Sequence, residues 1–323
     1  MKVFVTGGSG FLGGHVIAAL VARGDEVAAL ARSDRAGNAV ARLGATPIEG
    51  ALDSTEALTA GMRDAEMVVH AAAITKQWGD RADFWATNVT GTRNVIEACG
   101  SSRVSRLIHV STEAVLMGSS PLHNVDETEP YPDRFVGIYA ETKARAEQLV
   151  LAAGGGDLET IAVRPRFIWG PGDNTLVPTI TEKVQSGAFR WINGGADLTS
   201  TCHVTNCVAG ILLAAEHGLS GQSYFLTDGD PVTYHELITD LMSTRGVTIP
   251  EKSAPAWLVR SAAATMEGTW RTLRLRGAPP LTRSEVALAG QEITVDDTKA
   301  RLQLGYDSPV TRAAGMAELA DGD

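Results

Sequence analysis

Cysteine is scarce in this chain. Cys99, Cys202 and Cys207 are the only three in 323 residues, an odd number without CxxC spacing, so neither a disulfide framework nor a zinc site is indicated. A reducing, cytoplasmic setting fits such usage. No apolar run reaches the ~18 residues of a membrane span. Met1-Lys2 leads into a short apolar stretch broken by Gly7 and Gly8, so no signal-peptide core is expected. Positive charge is also short. At a net −10 the chain lacks the excess of Lys and Arg that general nucleic-acid binding needs. Internal repeats and low-complexity segments are absent.

What is present is a globular composition, 44% hydrophobic and 20% charged, and glycine in informative places. Gly8-Ser9-Gly10-Phe11-Leu12-Gly13 directly follows the apolar run Val3-Phe4-Val5 and opens an apolar-periodic stretch, His15 to Ala22. That order is strand, glycine turn, helix. Such a turn lets a pyrophosphate approach the backbone closely, and the helix start offers free N–H groups and the positive end of its dipole. A dinucleotide is the expected ligand.

Through the first half, short β-branched runs alternate with helical patterns, which predicts right-handed βαβ units, a parallel sheet and an α/β doubly wound fold. The strand candidates are Lys2–Thr6, Glu26–Ala31, Thr46–Glu49, Met67–His70, Ser105–Val110 and Thr160–Val163. Asp53-Ser54-Thr55-Glu56 reads as a capping box, and Asp83 to Cys99 as one long helical stripe. After Pro171 the pattern loosens. The expectation is a dinucleotide-binding domain over 1–170, joined by 203–227, and a smaller discontinuous substrate lobe over 171–202 and 228–313. Residues 314–323 are expected to fray.

The chemistry-bearing residues lie where strands are predicted to end. The second strand ends at Arg32, where an acid for the ribose hydroxyls of NAD is expected roughly 20 residues past the glycines. Arg32, with Ser33 and Arg35, instead offers cations and a hydroxyl to a 2′-phosphate, which favours NADP, with NAD the alternative. Tyr139 and Lys143 stand four apart on one helical face. An ammonium one turn away favours phenolate and equips a tyrosine for proton exchange with an alcohol or ketone, although many such pairs are merely solvated. Ser111 and Thr112 follow a predicted central strand, at the sheet edge where ligands of doubly wound folds bind.

Together, Thr6-Gly7-Gly8-Ser9-Gly10-Phe11-Leu12-Gly13, Ser111-Thr112, Tyr139 with Lys143, and Arg164-Pro165 resemble the extended short-chain dehydrogenase/reductase superfamily, over nearly the whole chain. The stretch from Pro165-Arg166-Phe167-Ile168-Trp169-Gly170-Pro171-Gly172-Asp173 through His203-Val204-Thr205-Asn206, and the later Pro279-Pro280-Leu281-Thr282-Arg283 followed by Leu304-Gly305-Tyr306, are most similar to its 3β-hydroxysteroid dehydrogenase branch. The resemblance implies a Rossmann fold and hydride transfer between nicotinamide C4 and a secondary alcohol carbon. It implies Tyr139 as acid/base, Lys143 lowering the tyrosine pKa and bonding the nicotinamide ribose, Thr112 orienting the substrate oxygen, and Asn88 holding the lysine or a relay water. It places Gly7, Gly10, Phe11, Leu12, Gly13, Arg32, Ser33, Leu52, Ala71, Ala72, Pro165 and Ile168 against the cofactor, and suggests a homodimer. In that branch an Asp usually stands where Arg32 is. The Tyr-Gly of sugar epimerases is replaced by Met117-Gly118.

Ile74, Gln77, Trp78, Glu113, Val115, Arg166 and Trp169 are the candidate pocket, largely apolar, and suited to a flat hydrophobic alcohol or ketone such as a sterol rather than a diphosphate. A nucleotide-sugar epimerase or dehydratase that recycles its cofactor remains the alternative. Between 256 and 276 a helical pattern combines Trp257, Leu258, Met266, Trp270 and Leu273 with Arg260, Arg271, Arg274 and Arg276. This segment is a candidate for contact with a membrane surface or for capping the pocket, or else an ordinary lobe helix with a solvated basic face.

Overall fold

The computed structural model describes residues 1–321. Seven strands form one parallel sheet: Lys2–Thr6 (β1), Glu26–Ala31 (β2), Thr46–Glu49 (β3), Met67–His70 (β4), Arg106–Val110 (β5), Glu159–Pro165 (β6) and Gln222–Leu226 (β7). Their spatial order is β7-β6-β5-β4-β1-β2-β3. The order reverses between β1 and β4, so the crevice above their C-terminal ends is the natural ligand site of the fold.

Strand periodicity explains the layers. Val3 and Val5 face one apolar cluster, shared with Val16 and Leu20 of the helix Phe11–Ala22 (α1) and with Cys207 and Ile211 of the helix Val204–His217 (α5). Phe4, between them in sequence, faces a second cluster with Val95 and Cys99 of the helix Gly91–Ser102 (α3) and Val150 of the helix Ile138–Ala153 (α4). Each such side chain contributes roughly 1.5–3 kcal/mol through burial. The helix Asp34–Arg42 (α2) follows β2 and is N-capped by Ser33, which accepts from the Ala36 N–H at 3.3 Å.

A four-stranded sheet lies outside this frame, in the order Val232–Thr233, Leu198–Thr199, Ile293–Val295, Leu122–Val125. Leu122–Val125, from the first 170 residues, therefore pairs with a strand of the C-terminal third.

Three local expectations change. The stripe from Asp83 is not one α-helix: Arg81–Phe84 runs into a π-helical turn, Trp85–Thr90, before α3. The wider turn frees the Asn88 carbonyl, which accepts from Thr92 Oγ1 at 2.6 Å. The helix Thr55–Gly61 is capped by Ser54 rather than Asp53, so Glu56 falls outside the N3 position and no reciprocal box forms. The end expected to fray is helical through Arg312–Asp321 (α7), because Leu319 and Met316 cover the apolar cluster around Trp169 and Leu237. Residues 322 and 323 of that predicted tail lie outside the described residues.

Candidate active site

The glycine turn after β1 is compact for steric reasons. Gly7 has φ 76°, and a Cβ there would lie 2.7 Å from the Ala72 nitrogen and 2.8 Å from the Ala71 carbonyl carbon. A Cβ on Gly13 would lie 2.2 Å from the Gly7 oxygen. Only glycine permits this approach of α1 to the turn. Gly10 is the N-cap of α1 without a side-chain cap, so the N–H groups of Phe11, Leu12 and Gly13 have no partner inside the helix. The Leu12 side chain is buried in the core, leaving its backbone to face the crevice.

Tyr139 and Lys143 occupy the first two turns of α4, beside the end of β5. Lys143 is buried; its Nζ donates to the Val110 carbonyl at 2.7 Å and meets His109 Nε2 at 3.2 Å. Burial lowers the Lys143 pKa to about 8. The Tyr139 phenol moves the other way. Burial raises its pKa well above the ordinary value, the carboxylate of Glu113 adds to the rise, and the Thr112 hydroxyl opposes it. The expected lowering of the tyrosine pKa by Lys143 is thus corrected. In this arrangement the ammonium is engaged at the end of β5, while burial and a nearby carboxylate govern the phenol.

Thr112 caps the short turn Glu113–Leu116, accepting from the Ala114 N–H at 3.2 Å, and donates to Glu113 Oε2 at 2.7 Å. Glu113 Oε1 accepts from Arg166 at 2.6 Å, and both side chains are buried. Asn88 clamps the segment after β4: its Oδ1 accepts from the Ile74 N–H at 2.7 Å, and its Nδ2 donates to the Ile74 carbonyl at 3.1 Å and to Thr142 Oγ1 at 3.0 Å. Of the two roles the resemblance implies, holding the lysine or a relay water, the first is corrected, since Lys143 is not among its partners. The π-helical turn aims it at the loop and at α4 instead.

With this geometry in place, comparison with known proteins decides the family. The sequence pattern of the 3-beta hydroxysteroid dehydrogenase/isomerase family matches residues 4–255. The chain belongs to that family. It is 46% identical to the 4-hydroxy-2-methyl-3-oxo-4-farnesyl-3,4-dihydroquinoline-1-oxide ketoreductase of Stigmatella aurantiaca, across 99% of this chain and 96% of that one. It is 36% identical to the 2-alkyl-3-oxoalkanoate reductase of Stenotrophomonas maltophilia, across 99% and 98%. A dTDP-glucose 4,6-dehydratase of Streptomyces venezuelae shares the fold, with TM-score 0.79 at 23% identity over 99% of this chain and 96% of that one. This family member is accordingly an oxidoreductase of CH–OH and ketone groups that uses a nicotinamide cofactor.

In this oxidoreductase the other predicted residues divide. Arg32 and Ser33 are exposed beyond β2, and the Ser33 oxygen caps α2. Leu52 packs on Gly91 of α3, with its carbonyl held by Asn94 at 2.8 Å. Pro165 ends β6, and Ile168 opens a two-residue strand paired with Cys202–His203. Val115 is buried in the apolar cluster beneath Tyr139. Gln77 and Trp78 are half-buried, and the Arg271 guanidinium lies 5.4 Å from the Trp78 ring centroid. Trp169 is a correction. It is fully buried, donates Nε1 to Asp228 at 2.7 Å and packs edge-on against His203, so it is a core residue rather than pocket lining.

Sequence reasoning missed a histidine pair. His70 and His109 face each other across β4 and β5 with ring centroids 5.2 Å apart. Thr6 Oγ1 meets His70 Nδ1 at 2.7 Å, and Thr92 Oγ1 meets His70 Nε2 at 2.9 Å. Burial, with the Lys143 charge, lowers the His70 pKa to about 3 and pushes His109 well below its ordinary value. The signal available in the sequence was a histidine in each of two otherwise apolar strand ends.

Proposed function

We propose that this protein reduces a hydrophobic ketone to a secondary alcohol with NADPH. The observation that carries the reading is Tyr139 beside Thr112 at the C-terminal edge of the sheet, on the same edge as a turn that only glycine can form. The residues present fit a dinucleotide: Gly7, Gly10 and Gly13 leave room for a pyrophosphate against the free N–H groups of α1, Ala71 and Ala72 lie against Gly7, and the family resemblance assigns Leu52, Pro165 and Ile168 to the same ligand. Arg32 and Arg35 are exposed past β2, where a 2′-phosphate finds cationic partners. When bound, the nicotinamide supplies the hydride.

Tyr139 donates the proton to the ketone oxygen. Its raised pKa keeps it protonated at neutral pH, which suits an acid in the reductive direction. Lys143, held at the end of β5 by the Val110 carbonyl, would bond the nicotinamide ribose, and Asn88 keeps the Ile74 loop against α4. Glu113 and Arg166, both buried, neutralise each other, so this pair offers a diphosphate no free cation. A flat, lipophilic ring or chain ketone fits better than a nucleotide diphosphate. The reductase names of the two relatives at 46% and 36% identity support reduction over epimerisation.

The helix Ala256–Leu273 (α6) supports delivery of such a substrate from a membrane surface. Trp257, Leu258, Leu273 and Leu275 are exposed, beside Arg274 and Arg276.

The test is consumption of NADPH and NADH across sterol-like, quinone-like and long-chain ketones. Net NADPH consumption, reduced by roughly a hundredfold or more in Tyr139→Phe, is expected. Turnover of a nucleotide sugar without net cofactor consumption refutes the reading.

A further inference from the structure

Lys143 is held by two consecutive residues of β5. An ammonium has three N–H donors and no lone pair, so every bond it makes runs outward from the nitrogen. One reaches the Val110 carbonyl at 2.7 Å and a second reaches His109 Nε2 at 3.2 Å. A single N–H remains for a ligand. With the first two fixed on β5, the tetrahedral nitrogen fixes the direction of the third. Because the ammonium only donates, Nε2 accepts, and the His109 proton sits on Nδ1.

That proton has no partner. His109 Nδ1 is buried and makes no hydrogen bond among the described residues, and the neighbouring His70 has nothing to offer it. Thr92 gives its hydroxyl proton to the Asn88 carbonyl at 2.6 Å, so it accepts from His70 Nε2 at 2.9 Å, and His70 Nδ1 then accepts from Thr6 Oγ1 at 2.7 Å. Both nitrogens of His70 are used. Lys143 is therefore the one hydrogen-bond partner that the buried His109 ring serves. An apolar side chain of similar size would avoid the cost of the unmatched donor, but it would leave the lysine without its second acceptor.

The groups packed around Lys143 show why a neutral acceptor matters there. Burial works against the lysine charge. Glu147, one turn further along α4, favours that charge, but it is itself bonded to Arg164 of β6 at 2.6 and 3.0 Å and to the Tyr131 hydroxyl at 2.6 Å. Tyr139, one turn back, is protonated at neutral pH. His70 on β4 and His109 on β5 are both uncharged. Only the Val110 carbonyl and His109 Nε2 accept from the ammonium among the described residues.

We propose that His109 is a positioning residue for Lys143, its Nε2 holding the ammonium so that the one remaining N–H is aimed into the crevice at the nicotinamide ribose. This role rests on the ribose contact proposed above for Lys143.

The test is calorimetric binding of NADPH and of NADH between pH 6 and pH 10, since both carry that ribose. In the unmodified protein, affinity is expected to fall as Lys143 loses its proton, with an inflection at about 8. His109→Leu, close to histidine in volume but without an acceptor, is expected to move the inflection down by about one pH unit and to weaken both cofactors roughly tenfold at the original inflection. His109→Gln, whose amide oxygen accepts, is expected to hold the inflection within about 0.3 of its place. Lost packing alone lowers the melting temperature and leaves the inflection where it was. If His109→Leu lacks a cooperative melt, nitrogen NMR of isotope-labelled histidine in the unmodified protein decides. The His109 proton is expected on Nδ1, and Lys143→Met is expected to shift the Nε2 resonance.

An inflection that is absent from the unmodified protein, one that stays in place in His109→Leu, one that moves down equally in His109→Gln, or a His109 proton on Nε2 overturns the proposal. No ketone enters these measurements. Failure to consume NADPH with any ketone counts against the reductase reading alone, and an unmoved inflection counts against the role of His109 alone.

Discussion

Tyr139 holds its proton more tightly than a free tyrosine because burial and the Glu113 carboxylate both oppose the phenolate. Lys143, one helical turn away, gives up its proton more easily than a free lysine for the same reason of burial. Both residues were legible in the sequence as an i, i+4 pair, but the direction of their shifts was not. It depends on burial in the folded chain, opposed by the Glu147 carboxylate at the lysine and reinforced by the Glu113 carboxylate at the phenol. Arg32 poses a different residue-scale question, since it is exposed and its reading rests on position past β2. Arg32→Ala is expected to raise the KM for NADPH roughly tenfold and leave the KM for NADH within about twofold. Steady-state kinetics with both cofactors check this, and equal effects on the two remove the role given to Arg32.

Strands β4 and β5 show how an element carries chemistry that no local pattern announces. Their register sets His70 opposite His109, with Thr6, Thr92 and Lys143 as the other polar groups around the pair. The folded protein keeps His70 neutral down to about pH 3, while an unfolded chain protonates it below its ordinary 6.5. The associated stability is therefore complete above pH 6.5 and is lost as pH falls from 6.5 toward 3, at about 1.4 kcal/mol for each pKa unit. His70→Gln, which retains hydrogen bonding without the titration, is expected to flatten the fall in urea midpoint between pH 6 and pH 4. An unchanged slope would place the acid sensitivity elsewhere. In the glycine turn the sequence was more explicit, because a steric demand as severe as a Cβ 2.2 Å from a carbonyl oxygen leaves glycine as the only residue to write. The π-helical turn at Trp85–Thr90 was not legible, since one extra residue in a helix leaves no signature in an apolar stripe.

Across the whole molecule, exposed apolar side chains concentrate on one element. Trp257, Leu258, Leu273 and Leu275 lie on α6 or just past its end, and Trp257 is 69% exposed. The inner face is occupied by Ala263 and by Glu267, which accepts from the Arg283 N–H at 2.7 Å and from its Nε at 2.9 Å. Arg260 donates to the Gly290 carbonyl at 3.2 Å and Arg271 lies over the Trp78 ring, and both stay exposed, as the expected solvated basic face requires. Arg274 and Arg276 remain exposed. Reversing both to Glu is expected to weaken co-sedimentation with anionic vesicles roughly tenfold or more, with little effect on neutral ones. Unchanged sedimentation excludes the membrane role. Among the described residues no helix is long and apolar enough to cross a membrane.

By itself the sequence determined the alternation of strand and helix, the glycine turn and the Tyr139–Lys143 spacing, because each is a local demand that neighbouring residues must satisfy together. Only the tertiary structure decided that Glu113 takes the Thr112 proton, that Trp169 belongs to the core and that Asn88 serves a loop rather than a lysine. These depend on partners 14 to 59 residues away, Ile74 for Asn88, Arg166 for Glu113 and Asp228 for Trp169. Hydrogen-bond direction and burial are properties of such long-range pairs, and a pattern read along the chain does not contain them.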